Sequence, residues 1–311
     1  MEFPHQPVLV EEVVRDLLTR PDGVYVDGTC GSGGHSLAVG EALSEEGRLI
    51  CLDRDPEAVS RCRVRLSFMG ERVTLRKASY AELGTVLEET GTKTADGILL
   101  DLGLSTYQLD QSGRGFSFQR DEPLDMRMDP ESGPTAGHLV NTLPERELER
   151  ILREYGEERK ARAVARAVVR ARREGEITTS SRLASLVRSV VPRPQRPGAK
   201  DPATRTFQAL RIAVNRELDN LRLFLDRVPE WIHTGGRLVI LSYHSLEDRM
   251  VKQAVRAWEK GCTCPPDFPV CACGKSPLFR PIRRGGLRPT EKETAGNPRA
   301  RSAVLRSAER I

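Results

Sequence analysis

Three aspartates, each closing a short apolar run, hold the chemistry this sequence offers. Val24-Tyr25-Val26 ends in Asp27, Arg48-Leu49-Ile50-Cys51-Leu52 ends in Asp53, and Gly97-Ile98-Leu99-Leu100 ends in Asp101. Such runs of β-branched, aromatic and aliphatic residues read as buried strands. After Asp27 the chain continues Gly28-Thr29-Cys30-Gly31-Ser32-Gly33-Gly34-His35-Ser36, and Leu37-Ala38-Val39 then opens a helical pattern. Strand, glycine-rich turn and helix in that order form the ligand crevice of an open α/β sheet, at the carboxyl ends of the strands. The glycines let backbone approach a ligand where a Cβ would collide. A tight turn with no ligand is the plain alternative. Three acidic strand tips argue for a site.

The spacing narrows the ligand. Asp53 stands 26 positions after Asp27, close to where dinucleotide folds hold a ribose diol. A dinucleotide site wants G-x-G-x-x-G and a pyrophosphate on the helix amino terminus. Here the run opens Asp27-Gly28-Thr29 and continues Gly31-x-Gly33-Gly34. A carboxylate at the end of the first strand repels a pyrophosphate and suits the ammonium of a methionine moiety. The pattern therefore favours S-adenosylmethionine over a dinucleotide. Asp27 and the turn would hold the methionine end, and Asp53 the ribose.

The elements that position these residues alternate as in a doubly wound sheet. A helix is expected within residues 5–18, with His5 before it as a surface or capping residue. Another is expected from Pro56 to about Phe68, with proline in its first turn. A third strand, Val73-Thr74-Leu75-Arg76, brings Tyr80 to its carboxyl tip, to cover an adenine or to sit in the core. The stretch from Thr106 to about Pro134 fits no period and reads as an ordered loop. From Pro144 the pattern is helical. Arg159, Arg162, Arg166, Arg170 and Arg173 make one stripe beside an apolar face, which fits either a phosphate backbone or solvent. Ser180 reads as an N-cap for the helix carrying Leu183, Leu186, Val187 and Val190. Phe207, Leu210, Val214, Leu218, Leu221 and Leu225 share one side of a further helix. The sheet resumes at Arg237-Leu238-Val239-Ile240-Leu241, followed by Ser242-Tyr243-His244-Ser245. There Ser245 with Asp248 would cap a helix, and His244 is either a site residue or structural. The expected organisation is a sheet domain at 1–105, a mostly helical insertion at 106–204, and the rest of the sheet domain with a basic tail at 205–311.

Bulk properties set further bounds. No apolar stretch approaches the roughly 20 residues of a membrane span, and Met1-Glu2-Phe3-Pro4-His5 lacks the character of a signal peptide. Seven cysteines, an odd count in a chain this large, fit a reducing cytoplasm. Cys262-x-Cys264 and Cys271-x-Cys273 flank a proline-rich loop. They read either as a structural zinc site or as unligated thiols, the C-x-C spacing being shorter than the familiar C-x-x-C. The net charge of +5 is concentrated: residues 153–200 hold thirteen Lys/Arg against five Glu, and residues 275–311 hold ten against three. Such asymmetry fits a nucleic-acid partner or an arginine-rich solvated surface. The arginine-rich tail would lie along RNA or against the sheet edge.

With these residues assembled, the chain resembles the bacterial family that methylates cytosine N4 in small-subunit ribosomal RNA. The likeness runs through nearly the whole length: His5-x-Pro7-Val8-Leu9, the Asp27–Ser36 turn, Asp101-Leu-Gly-x-Ser105, Gln108-Leu109-Asp110, Gly113-Arg-Gly-Phe-Ser117 and Pro123-Leu-Asp-Met-Arg-Met128. Thr206-Phe-Gln-Ala-Leu-Arg211, Ser242-Tyr-His-Ser-Leu-Glu-Asp-Arg249 and Asn297-Pro-Arg-Ala-Arg-Ser302 complete it. The resemblance implies a class I methyltransferase fold, a Rossmann-like doubly wound sheet with a helical insertion, and S-adenosylmethionine as donor. Its implied substrate is a decoding-region cytosine of the small ribosomal subunit. Cofactor contacts carry over to Gly33, Gly34, His35, Asp53, Asp101 and Gln108, and Tyr80 stands where the family usually has Phe. Late-loop cysteines vary among relatives, so a metal does not follow from the resemblance. Asp101 is the expected catalytic residue, acting on the base or touching the cofactor. A non-catalytic RNA-binding assembly factor on the same fold is the rival reading.

Overall fold

The computed structural model describes residues 7–192, 199–262, 264, 270 and 273–311. The chain divides into two compact units, one comprising the residues up to Gly103 with Leu218–Ile311, the other Leu104–Glu217.

In the first unit a helix α1 (Val10–Leu17) leads into β1 (Val24–Asp27), α2 (Gly34–Ala42), β2 (Arg48–Asp53) and α3 (Pro56–Arg65). Next come β3 (Val73–Lys77), α4 (Leu83–Glu89) and β4 (Ala95–Asp101). Helix α3 is shorter than its pattern suggests. Asp55 caps its start by accepting from the Glu57 amide at 3.1 Å, and a 3₁₀ run over Ser67–Arg72 follows its end.

Seven strands form one sheet in the order β3-β2-β1-β4-β5-β7-β6, where β5 is Ile232–Ser242, β6 Phe279–Pro281 and β7 Val304–Arg310. Strands β1 to β5 are parallel, and β7 runs antiparallel to β5 and β6. This order with a single reversed strand is the sheet of class I methyltransferases. Its switch point lies between β1 and β4, where helices leave to opposite faces and open a crevice.

Period-two alternation explains why the central strands are apolar throughout. Tyr25, Leu49, Cys51, Leu99, Val239 and Leu241 face one core, with Val13 and Leu17 of α1, Val39 of α2 and Cys62 of α3. Val26, Ile50, Ile98, Leu100, Leu238 and Ile240 face the other. Leu83 and Val86 of α4, Phe224 of α11 (Glu217–Trp231), and Val251 and Trp258 of α12 (Ser245–Lys260) cover that second face.

The basic tail is part of this sheet. It supplies β6 and β7, and between them a short helix α13 (Glu291–Gly296). Several of its arginines are structural: Arg283 pairs with Asp16 at 2.9 Å, Arg306 with Asp248 at 2.7 Å and Arg280 with Glu309 at 2.9 Å. Of the two expectations for the tail, the sheet edge describes these residues.

The second unit holds α5 (Thr106–Asp110), α6 (Ala136–Thr142), α7 (Glu145–Glu154), α8 (Ala161–Glu174), α9 (Ser180–Val190) and α10 (Ala203–Asn215) around its own core. Helices α10 and α11 are distinct, since Arg216 takes a left-handed φ of 50° between them. Thus α10 packs within this unit, beyond the boundary expected at residue 204. Helix α9 is capped by Thr179, whose hydroxyl accepts from the Arg182 amide, while buried Ser180 donates to the Arg120 carbonyl. The loop between α5 and α6 is tied down by specific bonds. Arg114 donates to the carbonyls of Arg127 and Met128, and Asn215 accepts from the Met128 amide at 2.8 Å. At Gly115, φ is 71° and a Cβ would stand 2.3 Å from the Pro123 carbonyl oxygen, so only glycine fits. On α8, Ala161, Val164, Ala165, Val168 and Ala171 are buried, while Arg162, Arg166, Arg170 and Arg173 are exposed.

Candidate active site

The glycine turn after β1 is built by its own first residue. Asp27 is buried; its Oδ1 accepts from the Thr29 amide at 3.1 Å and its Oδ2 from the Ser36 hydroxyl at 2.5 Å. The turn's two ends are thereby tied to one carboxylate. Gly31 and Gly33 take φ of 51° and 77°, which residues with a Cβ rarely adopt. A Cβ on Gly28 would stand 2.5 Å from Leu100 Cδ2 and 3.1 Å from Tyr80 Cβ, so the turn lies directly on the tip of β4. Burial pushes the Asp27 carboxyl up to about 7, against the opposing hydrogen bond from Ser36.

Asp53 fastens the turn from the β2 side. Its Oδ2 accepts from the Gly31 amide at 2.8 Å and its Oδ1 from the Asp55 amide at 2.9 Å. The residue is half-open at the surface, but its carboxylate is tucked against these amides, and burial raises it to about 6. Each carboxylate oxygen keeps capacity for a second donor, such as a sugar hydroxyl.

Tyr80 follows β3, opening a short 3₁₀ turn capped by Ser79 and Glu82. Its ring meets Phe224 edge-on, with centroids 5.7 Å apart, and is half-buried. Both readings of this residue thus have a foothold: one edge rests on the core, and the residue sits at a strand tip.

Asp101 is held from three directions. Its amide donates to Thr29 Oγ1, its Oδ1 accepts from the Tyr243 hydroxyl at 2.7 Å, and its Oδ2 lies 3.4 Å from His35 Nε2. The His35 approach lacks hydrogen-bond alignment, and among the described residues neither ring nitrogen of this buried histidine has a hydrogen-bond partner. Burial alone would lower the imidazole pKa, but the Asp101 and Asp27 carboxylates outweigh it and raise it. Burial, then the nearby Asp101 charge, pushes the Tyr243 phenol well up, so it stays protonated and donates.

The fold therefore gathers Asp27, Gly33, Gly34, His35, Asp53, Tyr80 and Asp101 at the carboxyl ends of β1 to β4. Gln108 lies in the other unit, where it forms a reciprocal cap with Ser105: its amide donates to Ser105 Oγ at 3.2 Å and its Oε1 accepts from the Ser105 amide at 3.0 Å. His244 is the N-cap of α12, its Nδ1 accepting from the Glu247 amide, while Glu247 accepts from the amides of Tyr243 and His244. This replaces Ser245 and Asp248 as the expected cap and gives His244 the structural role. Thr29 and Tyr243 are the residues that motif reasoning passed over. Tyr243 stands within the Ser242–Arg249 motif and Thr29 within the glycine turn, but neither stretch assigns them a role. His5 lies outside the described residues, as does Cys271; Cys262, Cys264 and Cys273 bring their sulfurs within 4.8 Å of one another.

This site suits a cationic, nucleoside-bearing ligand. Carboxylates end three adjacent strands beside the glycine turn, and among the described residues the buried His35 ring nitrogens have no hydrogen-bond partner. S-adenosylmethionine, with its sulfonium, ammonium, ribose and adenine, matches that donor set.

The comparisons agree in kind. A model of the MraW methylase family matches residues 2–311. A protein of Desulfosudis oleivorans called ribosomal RNA small subunit methyltransferase H is 49% identical over 312 residues, covering 100% of both chains. Like-named proteins of Syntrophotalea carbinolica and Heliobacterium mobile are 50% and 47% identical, covering 99% and 100% of this chain and 98% and 100% of their own. Matched from end to end at about half identity, the chain belongs to the MraW methylase family.

Proposed function

We propose that this protein transfers a methyl group from S-adenosylmethionine to the exocyclic N4 amine of a cytosine in the decoding region of small-subunit ribosomal RNA. The observation that carries this reading is Asp101, a carboxylate at the switch point, fixed by Thr29 and Tyr243 beside the glycine turn. The printed names of the full-length relatives support the ribosomal RNA substrate. The exposed arginines of α8 support a polyanionic partner. A cytoplasmic location follows from that substrate. No helix among the described residues is long and apolar enough to cross a membrane.

When bound, S-adenosylmethionine supplies an electrophilic methyl on a sulfonium. The protein's residues do the rest. Gly33, Gly34 and the turn organised by Asp27 receive the methionine end, Asp53 the ribose hydroxyls and Tyr80 the adenine. His35 completes the set of cofactor contacts that this unit supplies. A cytosine amine is a poor nucleophile because its lone pair is delocalised into the ring. Asp101 would accept a hydrogen bond from that amine, favouring a tetrahedral nitrogen, and would take up the proton as the N–C bond forms and the methyl–sulfur bond breaks, the sulfur leaving as a neutral thioether. Tyr243 holds the Asp101 carboxylate in one orientation, and in-line placement of the two reactants contributes the remainder. The target base must be unstacked to reach such a site.

Two results test the cofactor assignments. Tyr80→Ala should weaken S-adenosylmethionine binding by roughly 5- to 150-fold, the range of ~1–3 kcal/mol for aromatic–base stacking, while Tyr80→Phe should bind nearly as the parent. Calorimetric titration of the cofactor separates these outcomes.

The raised carboxyls predict the second. Below pH 6 both Asp27 and Asp53 carry protons in the free protein, which suits burial but not a cation. The stability that neutral Asp27 contributes is present at acid pH and fades as pH rises through about 7. Cofactor affinity should move oppositely, rising on the order of tenfold from pH 5.5 to pH 8. Asp27→Asn should flatten the upper part of that rise. A pH-independent affinity in the parent would contradict the role of Asp27.

A further inference from the structure

We propose that Cys262, Cys264 and Cys273 bind a zinc ion that closes the loop between α12 and β6. The ends of this loop are already pinned together. Gly261, directly after α12, takes a φ of 64°, and a Cβ there would stand 2.4 Å from the Ser276 carbonyl carbon and 2.5 Å from the Pro277 nitrogen. The Leu278 amide donates to the Trp258 carbonyl at 2.8 Å. Two backbone strands thus meet at the base of the loop, and the cysteines follow immediately from both sides.

The sulfur geometry is that of a metal site. All three Sγ atoms lie within 4.8 Å of one another, and those of Cys262 and Cys273 are 3.8 Å apart. A tetrahedron with zinc–sulfur bonds of about 2.3 Å has edges of about 3.8 Å, whereas a disulfide needs about 2.05 Å. The C-x-C spacing, too short to resemble a familiar zinc knuckle, does not count against this arrangement, because the ligands come from the two ends of a closed loop. Thiolates are soft donors, which favours zinc over magnesium or calcium.

The described residues of this loop gain little from burial. None of its described residues from Cys262 to Pro277 belongs to a hydrophobic cluster, and Val270 is 75% exposed. Where burial is too small to order a segment, ligation supplies the ordering energy. Binding converts three thiols to thiolates, so three protons leave as one divalent ion enters. The fourth position falls to a further donor, such as water.

The test is the metal content of untagged protein purified without added metal, by plasma mass spectrometry. The expected result is about one zinc per chain, lost in Cys262→Ser and in Cys273→Ser. Should either variant fold poorly, wild-type protein gives the second readout. Treatment with a strong chelator should expose the late-loop thiols to Ellman's reagent, leaving buried Cys30, Cys51 and Cys62 protected. Zinc-free protein whose thiol reactivity ignores the chelator would overturn the proposal. Iron with acid-labile sulfide in place of zinc would overturn it as well.

Discussion

Asp101→Ala is expected to lower the rate of methyl transfer by roughly 10²- to 10⁴-fold, the usual worth of a positioned acid–base group. The fold should survive, because Asp101 sits at the strand tip and its Thr29 contact is made by the backbone amide, which alanine keeps. Cofactor binding should change far less than the rate. Tyr243→Phe provides the graded comparison: it deletes only the 2.7 Å hydrogen bond to Asp101 and leaves the carboxylate in place. A loss of about tenfold in rate, with unchanged cofactor affinity, is expected there, in keeping with one hydrogen bond to a charged group. Single-turnover assays with saturating cofactor read both. If Asp101→Ala transferred methyl at the parent's rate, Asp101 would be no more than a structural residue.

Asp16→Ala should be strongly destabilising although it lies outside the site. This carboxylate is only 2% exposed; it accepts from Arg283 at 2.9 and 3.0 Å and from the Ser307 hydroxyl at 2.8 Å. It therefore ties α1 to β7 and to the segment after β6. Burial alone would raise its pKa, but the hydrogen bonds from Arg283 and Ser307 outweigh burial and hold it below the ordinary carboxylate value. A depressed carboxyl stabilises the fold above its unfolded pKa of about 3.9 and loses that contribution as pH falls through the folded value. Arg283 is one-third exposed and can return to water after the substitution, whereas Ser307 is buried and cannot. The expected cost at pH 7 is about 2–4 kcal/mol, between a charged hydrogen bond and a broken buried pair. Thermal unfolding at pH 7 should show a midpoint several degrees lower. The gap between variant and parent should narrow in acid below pH 4.

Both sites show what local pattern conveys and what it hides. The strands ending in Asp27, Asp53 and Asp101 were legible because central parallel strands are apolar on both faces and end at abrupt polar residues. The glycine turn was legible because positive φ and close approach admit few other residues. Strands β6 and β7 were not. One is three residues long, and the other, Val304-Leu305-Arg306-Ser307-Ala308-Glu309-Arg310, carries arginines whose partners lie far off in sequence, so it reads as a basic tail. Arg306 meets Asp248, and nothing near either residue announces the pair. Helix α5 was hidden in a segment dominated by Gly, Asp and Arg, although Ser105 and Gln108 form a capping box that its S-x-x-Q spacing could have signalled. The break at Arg216 had no signal, since the apolar period runs on through it. Tyr243 shows the same limit within the site: a hydrogen bond across 142 positions to Asp101 leaves no trace in either neighbourhood.

The most direct measurement is transfer of labelled methyl from S-adenosylmethionine to purified small ribosomal subunits, followed by nucleoside analysis of the RNA. The account predicts N4-methylated cytidine from the decoding region with the parent protein, and a near-absence of it with Asp101→Ala. Label on another atom, or on protein, would contradict the assigned reaction. Cofactor binding with no transfer to the subunits would favour a non-catalytic role in ribosome assembly.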